Sequence, residues 1–451
     1  MPVELIDLQM DVGIGTTQAS AQAAYQRVSE HLRAQGDGIA WVGISQTASS
    51  DNGLPLARAI HVALPDLPII LGGYFASAAY RRLLQDYPFL TGIVRGDGET
   101  AALEISRRLA TGQPFPSQQI PGLAWLEGDR ICTTPSKKAA DALGPLDFGS
   151  LRNVGLYQLA YLMTSRGCPF RCNYCLENYM RSYTEYPPAI VGRQLDHLSA
   201  TLHTDKILIV DPVFGLGRGR TLELCQLMRG RGFTYALESR VDVLAPDLIP
   251  ILREAGVEHI YWGVESASAG TLMRMNKVRS QAEADRYVKR ALEVLKACFQ
   301  NEITAQVGIM LGFPGDTEED HEASLRFVQQ MESLYNQIGG QTGVHAGYAV
   351  DVHGTLVFDG SPLAEQLASA YPHSSLSVNS RGERLVQSPS PGLGLSELRH
   401  HCQAVRSHER RTSVAVERIS RYVCDPLILF IAKHAVSIDA QGIVTLGENQ
   451  I

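Results

Sequence analysis

Apolar positions along this chain alternate between two rhythms. Short runs such as Ile39-Ala-Trp-Val-Gly-Ile44, Pro68-Ile-Ile-Leu71 and Thr91-Gly-Ile-Val94 predict buried strands. Between them, apolar residues recur every three or four positions, which predicts helices. These run over Ser20–Ala34 (with Ala24, Val28 and Leu32 on one face), Leu54–Leu64, Ala76–Gln85 and Glu99–Leu109. Val3–Leu8 reads as one more short strand. Strands separated by helices predict a small doubly wound, Rossmann-like parallel sheet over 1–112. Ser45, Thr47, Gly72, Gly73 and Gly96-Asp97-Gly98-Glu99 should lie at its carboxyl edge, where such sheets bind ligands.

Prolines 114, 116, 121, 135 and 145 then punctuate a segment, 113–158, that reads as a linker carrying a hairpin at Gly122–Leu126 and Arg130–Thr133. Beyond it the rhythm resumes six times. Strands are expected at Leu159–Thr164, Lys206–Asp211, Thr234–Arg240, His259–Val264, Thr304–Leu311 and Gly343–Val352. Helices are expected near 188–203, 219–231, 245–255, 280–299 and 317–336. Six such units over 159–352 predict a partial (β/α)6, TIM-like barrel, whose chemistry gathers at the carboxyl ends of its strands. Residues 353–451 read as a largely helical extension, with helices at Leu395–Arg410 and Val414–Ile431, that covers the barrel's open side and substrate pocket.

Composition narrows the class. The 451 residues are 45% hydrophobic and 19% charged, which describes an ordinary globular chain. A net charge of −7 argues against nucleic acid as a partner and is compatible with a cationic ligand. No apolar run reaches the roughly 18–20 residues a membrane span needs, and Met1–Leu5 does not open a signal peptide. Of eight cysteines, five are scattered and read as small buried hydrophobes rather than a disulfide framework. A reducing cytoplasm is the expected compartment.

The other three cysteines carry the chemistry. Arg166-Gly-Cys168-Pro-Phe-Arg-Cys172-Asn-Tyr174-Cys175 follows the first barrel strand with the spacing C-x3-C-x2-C. Thiolates are the preferred ligands of iron–sulfur iron. Three ligands for a four-iron cluster leave one iron open to a small molecule. A zinc knuckle would want a second cysteine pair, and the chain offers none. Other polar residues are expected at the same mouth: Asp211, Glu238, Arg240, Glu265, Ser266, Gly312 and Asp351. Asp211 reads equally well as a helix cap or turn residue. Glu238 and Arg240 share one strand face by the period of two. His400-His401-Cys402 has no second pair nearby and reads as a helix surface.

The cysteine loop, Gly263-Val-Glu265-Ser266 and Gly308-Ile-Met-Leu-Gly312-Phe-Pro-Gly315 together resemble the radical S-adenosylmethionine (SAM) superfamily. Val42-Gly-Ile-Ser45, Leu71-Gly-Gly73 and Gly96-Asp-Gly-Glu-Thr100 resemble the cobalamin-binding domain that precedes many of its members. The resemblance is carried by 159–320 and 40–110 and fades beyond 352. It implies a [4Fe–4S] cluster on Cys168, Cys172 and Cys175. It also implies SAM held by Tyr174, Asp211, Glu238, Arg240, Glu265, Ser266 and the Gly312 backbone, with Arg240 suited to the SAM carboxylate. Asp351, His353 and Asp359 are expected to meet the substrate.

The first domain lacks an initial strand and helix and the Asp-x-His-x-x-Gly cobalt loop, so it is expected to be a degenerate structural domain without cobalamin. The chain also resembles the radical SAM diol dehydratase of aminoglycoside biosynthesis. That implies dehydration of an aminosugar such as paromamine, with flavodoxin or ferredoxin as electron donor and an NADPH-dependent reductase acting on the product. A cobalamin-dependent C-methyltransferase and a non-catalytic iron–sulfur redox protein are the alternatives.

Overall fold

The computed structural model describes residues 4–8, 11–12, 18–46, 53–136, 153–342, 347–358 and 360–370, together with four two-residue strands further on. Both expected sheets are present. The first holds five strands in sequential order: β1 (Val42–Ser45), β2 (Ile69–Gly72), β3 (Gly92–Val94), β4 (Leu123–Glu127) and β5 (Arg130–Thr133). The first three are parallel, and β4 and β5 add antiparallel to β3. The hairpin read as part of a linker therefore extends the first sheet. Its Leu123, Trp125 and Cys132 bury against Ile70, Val94 and Ile105, and that burial fixes it there.

Helices cover both faces of this sheet. α1 (Gln18–Gln35), α2 (Gly53–Ala63), α3 (Tyr74–Ala78) and α4 (Tyr80–Asp86) share a core with Ile69, Leu71 and Ile93. α5 (Glu99–Ala110) packs Ala101 and Ile105 on the opposite face. The single helix expected over 76–85 is thus two, broken at Ala79. No strand forms at residues 4–8. Asp11 accepts from the Asp7 backbone N–H at 2.8 Å and its own N–H returns to the Asp7 carbonyl, which closes a turn instead.

The second sheet is parallel throughout, in the order β13–β12–β11–β10–β9–β6. Its strands are β6 (Ala160–Leu162), β9 (Lys206–Ile209), β10 (Thr234–Ser239), β11 (Val257–Glu265), β12 (Thr304–Leu311) and β13 (Tyr348–Gly354). A separate two-strand ladder, β7 (Ser165–Arg166) with β8 (Thr184–Glu185), closes the base of the cysteine loop. Crossovers run through α7 (Pro188–Thr201), α8 (Arg218–Met228), α9 (Ile249–Glu254), the pair α10 (Ala269–Arg274) and α11 (Gln281–Gln300), and α12 (Glu318–Thr342). α6 (Glu177–Met180) follows the cysteines, and α13 (Pro362–Ala370) lies beyond the sheet.

Local chemistry sets the helix starts. Ser268 caps α10 and Ser280 caps α11 through side-chain acceptance from Thr271 and Glu283 N–H groups. Thr317 and Asp320 exchange bonds at the head of α12. On β11, Ile260, Trp262 and Val264 face the helices in one large core. Tyr261, Gly263 and Glu265 alternate onto the inner face, as the period of two requires. Leu395–Arg410 and Val414–Ile431 lie outside the described residues.

Candidate functional site

The cysteine loop leaves β7 at the carboxyl edge of the second sheet. Gly167 makes the turn possible. Its φ is 68°, and a Cβ there would meet the Ser182 carbonyl oxygen at 2.6 Å, so only glycine fits. The middle of the loop is tied to the barrel. Asn173 N–H donates to the Met275 carbonyl at 3.1 Å, Asn173 Nδ2 to the Arg274 carbonyl at 2.8 Å and Asn276 Nδ2 to the Arg171 carbonyl at 2.7 Å.

Burial, with the neighbouring cysteines adding to it, raises the Cys168 thiol and pushes Cys175 up to about 12. Thiolates in so poorly solvated a place are costly unless a metal takes them. Donors already point at them: Arg240 Nη1 lies 3.3 Å from Cys172 Sγ and Glu177 N–H 3.5 Å from Cys175 Sγ. Such N–H···S bonds suit an anionic cluster. Among the described residues no three His, Cys, Asp or Glu side chains converge on a single metal ion.

Asp211 does not face the mouth. It is buried and accepts from Thr164 N–H at 2.6 Å, from Ser165 Oγ at 2.7 Å and from the Thr164 hydroxyl. It fixes the step from β6 to β7. Arg220 helps from α8, donating to the Thr164 and Tyr186 carbonyls at 2.7 and 2.8 Å. Arg240 is also committed elsewhere. Its fork grips Asp242 through Nε at 2.9 Å and Nη2 at 2.8 Å, and its guanidinium stacks 3.9 Å from the Phe170 ring centroid. Arg240, expected at the SAM carboxylate, is paired with Asp242 and braced against the cluster loop. Ser266 turns away too. It accepts from Ser268 N–H at 3.1 Å and lies 3.4 Å from Ser324 Oγ on α12.

The inner face carries what remains. Glu238 sits opposite Tyr261 in register, and Gly308 opposite Asp351. A Cβ on Gly308 would meet Tyr261 Oη at 2.1 Å, so that glycine makes room for the phenol. Burial first, then Glu265, Asp351 and Glu238, hold the Tyr261 hydroxyl far above its usual range. Glu238 is pushed up to about 7 by burial, with Glu265 and Glu177 adding to it.

Glu265 has φ 69° at an irregularity in the β11–β12 register, a strained backbone of the kind that collects at functional sites. Lys277 Nζ lies 3.6 Å from its carboxylate and 3.4 Å from the Tyr174 hydroxyl. Tyr174 in turn packs beside Met275, Met310 and Phe313, an apolar slot suited to a flat base. Gly312 has φ 70°, and its N–H donates to His321 Nε2 at 3.0 Å. Of His353 only the strand position is described, opposite Met310. Asp359 and His400–Cys402 lie outside the described residues.

The sequence reading missed Tyr261, Tyr74 and Glu177. Tyr261 was legible in principle, since it shares the phase of Gly263 and Glu265 on one strand. Tyr74 and Glu177 are hydrogen-bonded partners far apart in the chain.

Residues 162–328, which hold most of the parallel sheet and its three-cysteine loop, match the Radical SAM superfamily. That match implies a [4Fe–4S] cluster and SAM, and the donor set described here fits both.

Among curated relatives, the anaerobic magnesium-protoporphyrin IX monomethyl ester cyclase of Cereibacter sphaeroides is 27% identical over 67% of this chain and 51% of its own. An uncharacterized methyltransferase of Pyrococcus horikoshii is 23% identical over 66% and 65%. The chain spans about half the length of the cyclases it matches. Among solved structures, the cobalamin-dependent SAM radical enzyme OxsB, with aqua-cobalamin and SAM bound, superposes with a TM-score of 0.64 at 17% identity over 88% of this chain and 60% of its own. The methyltransferase TsrM of Kitasatospora setae, with cobalamin and a [4Fe-4S] cluster bound, gives 0.64 at 16% over 81% and 73%. These likenesses show the fold. Among the described residues no helix is long and apolar enough to cross a membrane.

Proposed function

We propose that this chain is a radical SAM enzyme that takes hydrogen from an amine-bearing, polar small molecule held on the inner face of the barrel. The observation that carries the substrate class is the acidic lining there. Glu238, Glu265 and Asp351 lie around Tyr261, and Lys277 pairs with Glu265. Carboxylates gathered in a poorly solvated place favour a cationic ligand, which suits a substrate ammonium.

When bound, the cluster and SAM supply an electron and a 5′-deoxyadenosyl radical able to attack an unactivated C–H bond. The chain's own residues orient and exclude water. Tyr174, Met310 and Phe313 offer the base an apolar wall. Glu265 and Lys277 offer polar groups to the rest of SAM, and Tyr261 remains a neutral donor. Dehydration of an aminosugar diol, with a flavodoxin or ferredoxin donor and a separate NADPH-dependent reductase, is the reading that suits a cationic polyol and the first domain's use as a brace. The described ends of β1 to β3 are committed to protein contacts: Gln46 to Leu54 N–H, Tyr74 to Glu177 and Asp97 to Arg166 and Arg181.

The second reading is cobalamin-dependent C-methylation, favoured by the fold shared with OxsB and TsrM. Anaerobic reconstitution with iron, sulfide and hydroxocobalamin separates the two. Stoichiometric corrin absorbance after desalting, with products one methylene heavier, selects methylation. Products lighter by one water select dehydration. Replacing Cys172 with Ala should abolish both the cluster's absorbance and 5′-deoxyadenosine formation. Undiminished deoxyadenosine in that variant would sink the radical SAM reading altogether.

A further inference from the structure

The two arginines that flank the cluster loop are both held by the first domain. Arg166, two residues before Cys168, places Nη1 2.5 Å from Glu99 Oε1 and 3.5 Å from Asp97 Oδ1. Arg181, six residues after Cys175, places Nε 3.2 Å from the same Asp97 oxygen. Arg166 and Asp97 are only 11% and 15% exposed in their side chains, so their pair is not the weak, solvent-screened kind of an open surface.

Tyr74, the first residue of α3, adds a second hold. Its hydroxyl is hydrogen-bonded to Glu177, and its ring centroid lies 4.9 Å from the Arg181 guanidinium. Glu177 accepts from the Gly167 backbone and donates its own N–H toward Cys175 Sγ. The barrel holds the loop's base through Asp211 and Arg220 and its middle through Asn173 and Asn276. The stretches next to Cys168 and Cys175 lean on the first domain.

We infer that Asp97 and Glu99 are positioning residues for the cluster: by holding Arg166 and Arg181 they fix the spacing of Cys168 and Cys175 from outside the barrel. The first domain then serves the radical chemistry directly, whatever else its sheet binds. The carboxylates also neutralise two guanidinium groups beside an anionic cluster, so removing one leaves uncompensated positive charge there. That charge favours the reduced cluster and raises its potential.

The inference rests on the radical SAM reading, and its test keeps the two apart. The full chain is reconstituted anaerobically as wild type, Asp97→Asn, Asp97→Glu and Glu99→Gln. Iron per chain, the electron paramagnetic resonance spectrum of the reduced cluster with and without SAM, the midpoint potential and the deoxyadenosine rate are measured. Asp97→Asn should keep its iron, shift the potential upward, alter the spectrum and lose about tenfold in rate, the scale of outer-sphere ligand support. Asp97→Glu should recover most of the rate, and Glu99→Gln should change it less.

An Asp97→Asn protein with normal iron, spectrum, potential and rate overturns the inference. If that variant fails to fold or to bind iron, the exchange of Asp97→Arg with Arg181→Asp decides. Recovery of iron and spectrum over Asp97→Arg alone supports the clamp, and no recovery overturns it. A wild type that binds iron yet forms no deoxyadenosine would defeat the functional reading, while the spectra and potentials of the same variants would still judge the clamp.

Discussion

The two parallel sheets end in similar ways and spend those ends differently. At the carboxyl edge of the first, Gln46 is fully buried, and its side chain accepts from Leu54 N–H at 2.9 Å. Tyr74 and Asp97 reach across to the cluster loop. At the carboxyl edge of the second, Glu238, Glu265 and Asp351 crowd one phenol, with Lys277 as the cation paired to Glu265. Both edges occupy the topological position where α/β sheets bind ligands. What separates a brace from a site here is how the carboxylates are met: Asp97 pairs with arginines, whereas Glu238 and Glu265 lie close to one another. Like charges crowded in a poorly solvated place are costly and suit a cationic ligand.

The same contrast appears within the barrel. Asp211 is surrounded by three donors and anchors β6 to β7. Glu238, one strand over, has two carboxylates as its electrostatic neighbours.

Substitutions can break this contrast, beginning with the largest effect. Asp211→Ala strands the Thr164 and Ser165 donors in a buried place, and should lower unfolding free energy by about 3 kcal/mol in urea titrations. A loss below about 1 kcal/mol would mean the loop is anchored elsewhere.

Glu238→Gln should act in the opposite direction. In the folded chain Glu238 holds its proton up to about 7, well above the usual carboxylate range. Between those values the folded state binds more protons than the unfolded one, so stability falls as pH rises through that window and then levels off. The glutamine variant should lack this decline and be on the order of 1–3 kcal/mol more stable at pH 8. It should also bind an amine substrate more weakly. Thermal melts across pH 4–8 would sharpen or remove the distinction between brace and site.

Gly308→Ala forces Tyr261 to move. It should cost about 1–2 kcal/mol and lower turnover more than SAM binding, as steady-state kinetics and calorimetry would report. Gln46→Ala, at the other edge, should cost about 1 kcal/mol in stability and leave SAM cleavage unchanged.

Much of the architecture was legible before any coordinates. Strand β12 begins and ends where the apolar run at Thr304–Leu311 does. Helices α2, α5, α7 and α11 fall within two residues of their expected ends. The misreadings share one physical cause. The hairpin's destination, the direction of Ser266 and the commitment of Asp211 depend on groups distant in sequence or on which face packs, and a local pattern carries neither. The pairing of Arg240 was hidden for a nearer reason: Asp242 was in view, but the bidentate grip and the contact with Cys172, 68 residues away, become visible only when the strand end is built.

The sequence by itself determined the cysteine loop, the strand–helix alternation and the phase that puts Glu238, Gly263, Glu265 and Gly308 on their strands. Ligand spacing and a period of two are properties of a few consecutive residues. Only the tertiary structure decided which polar groups meet partners from distant parts of the chain. That decision rests on partners such as Asp211 with Thr164, 47 residues apart, and Asp97 with Arg166 across a domain boundary. Pairing a buried charge requires bringing such partners together, and only folding does so.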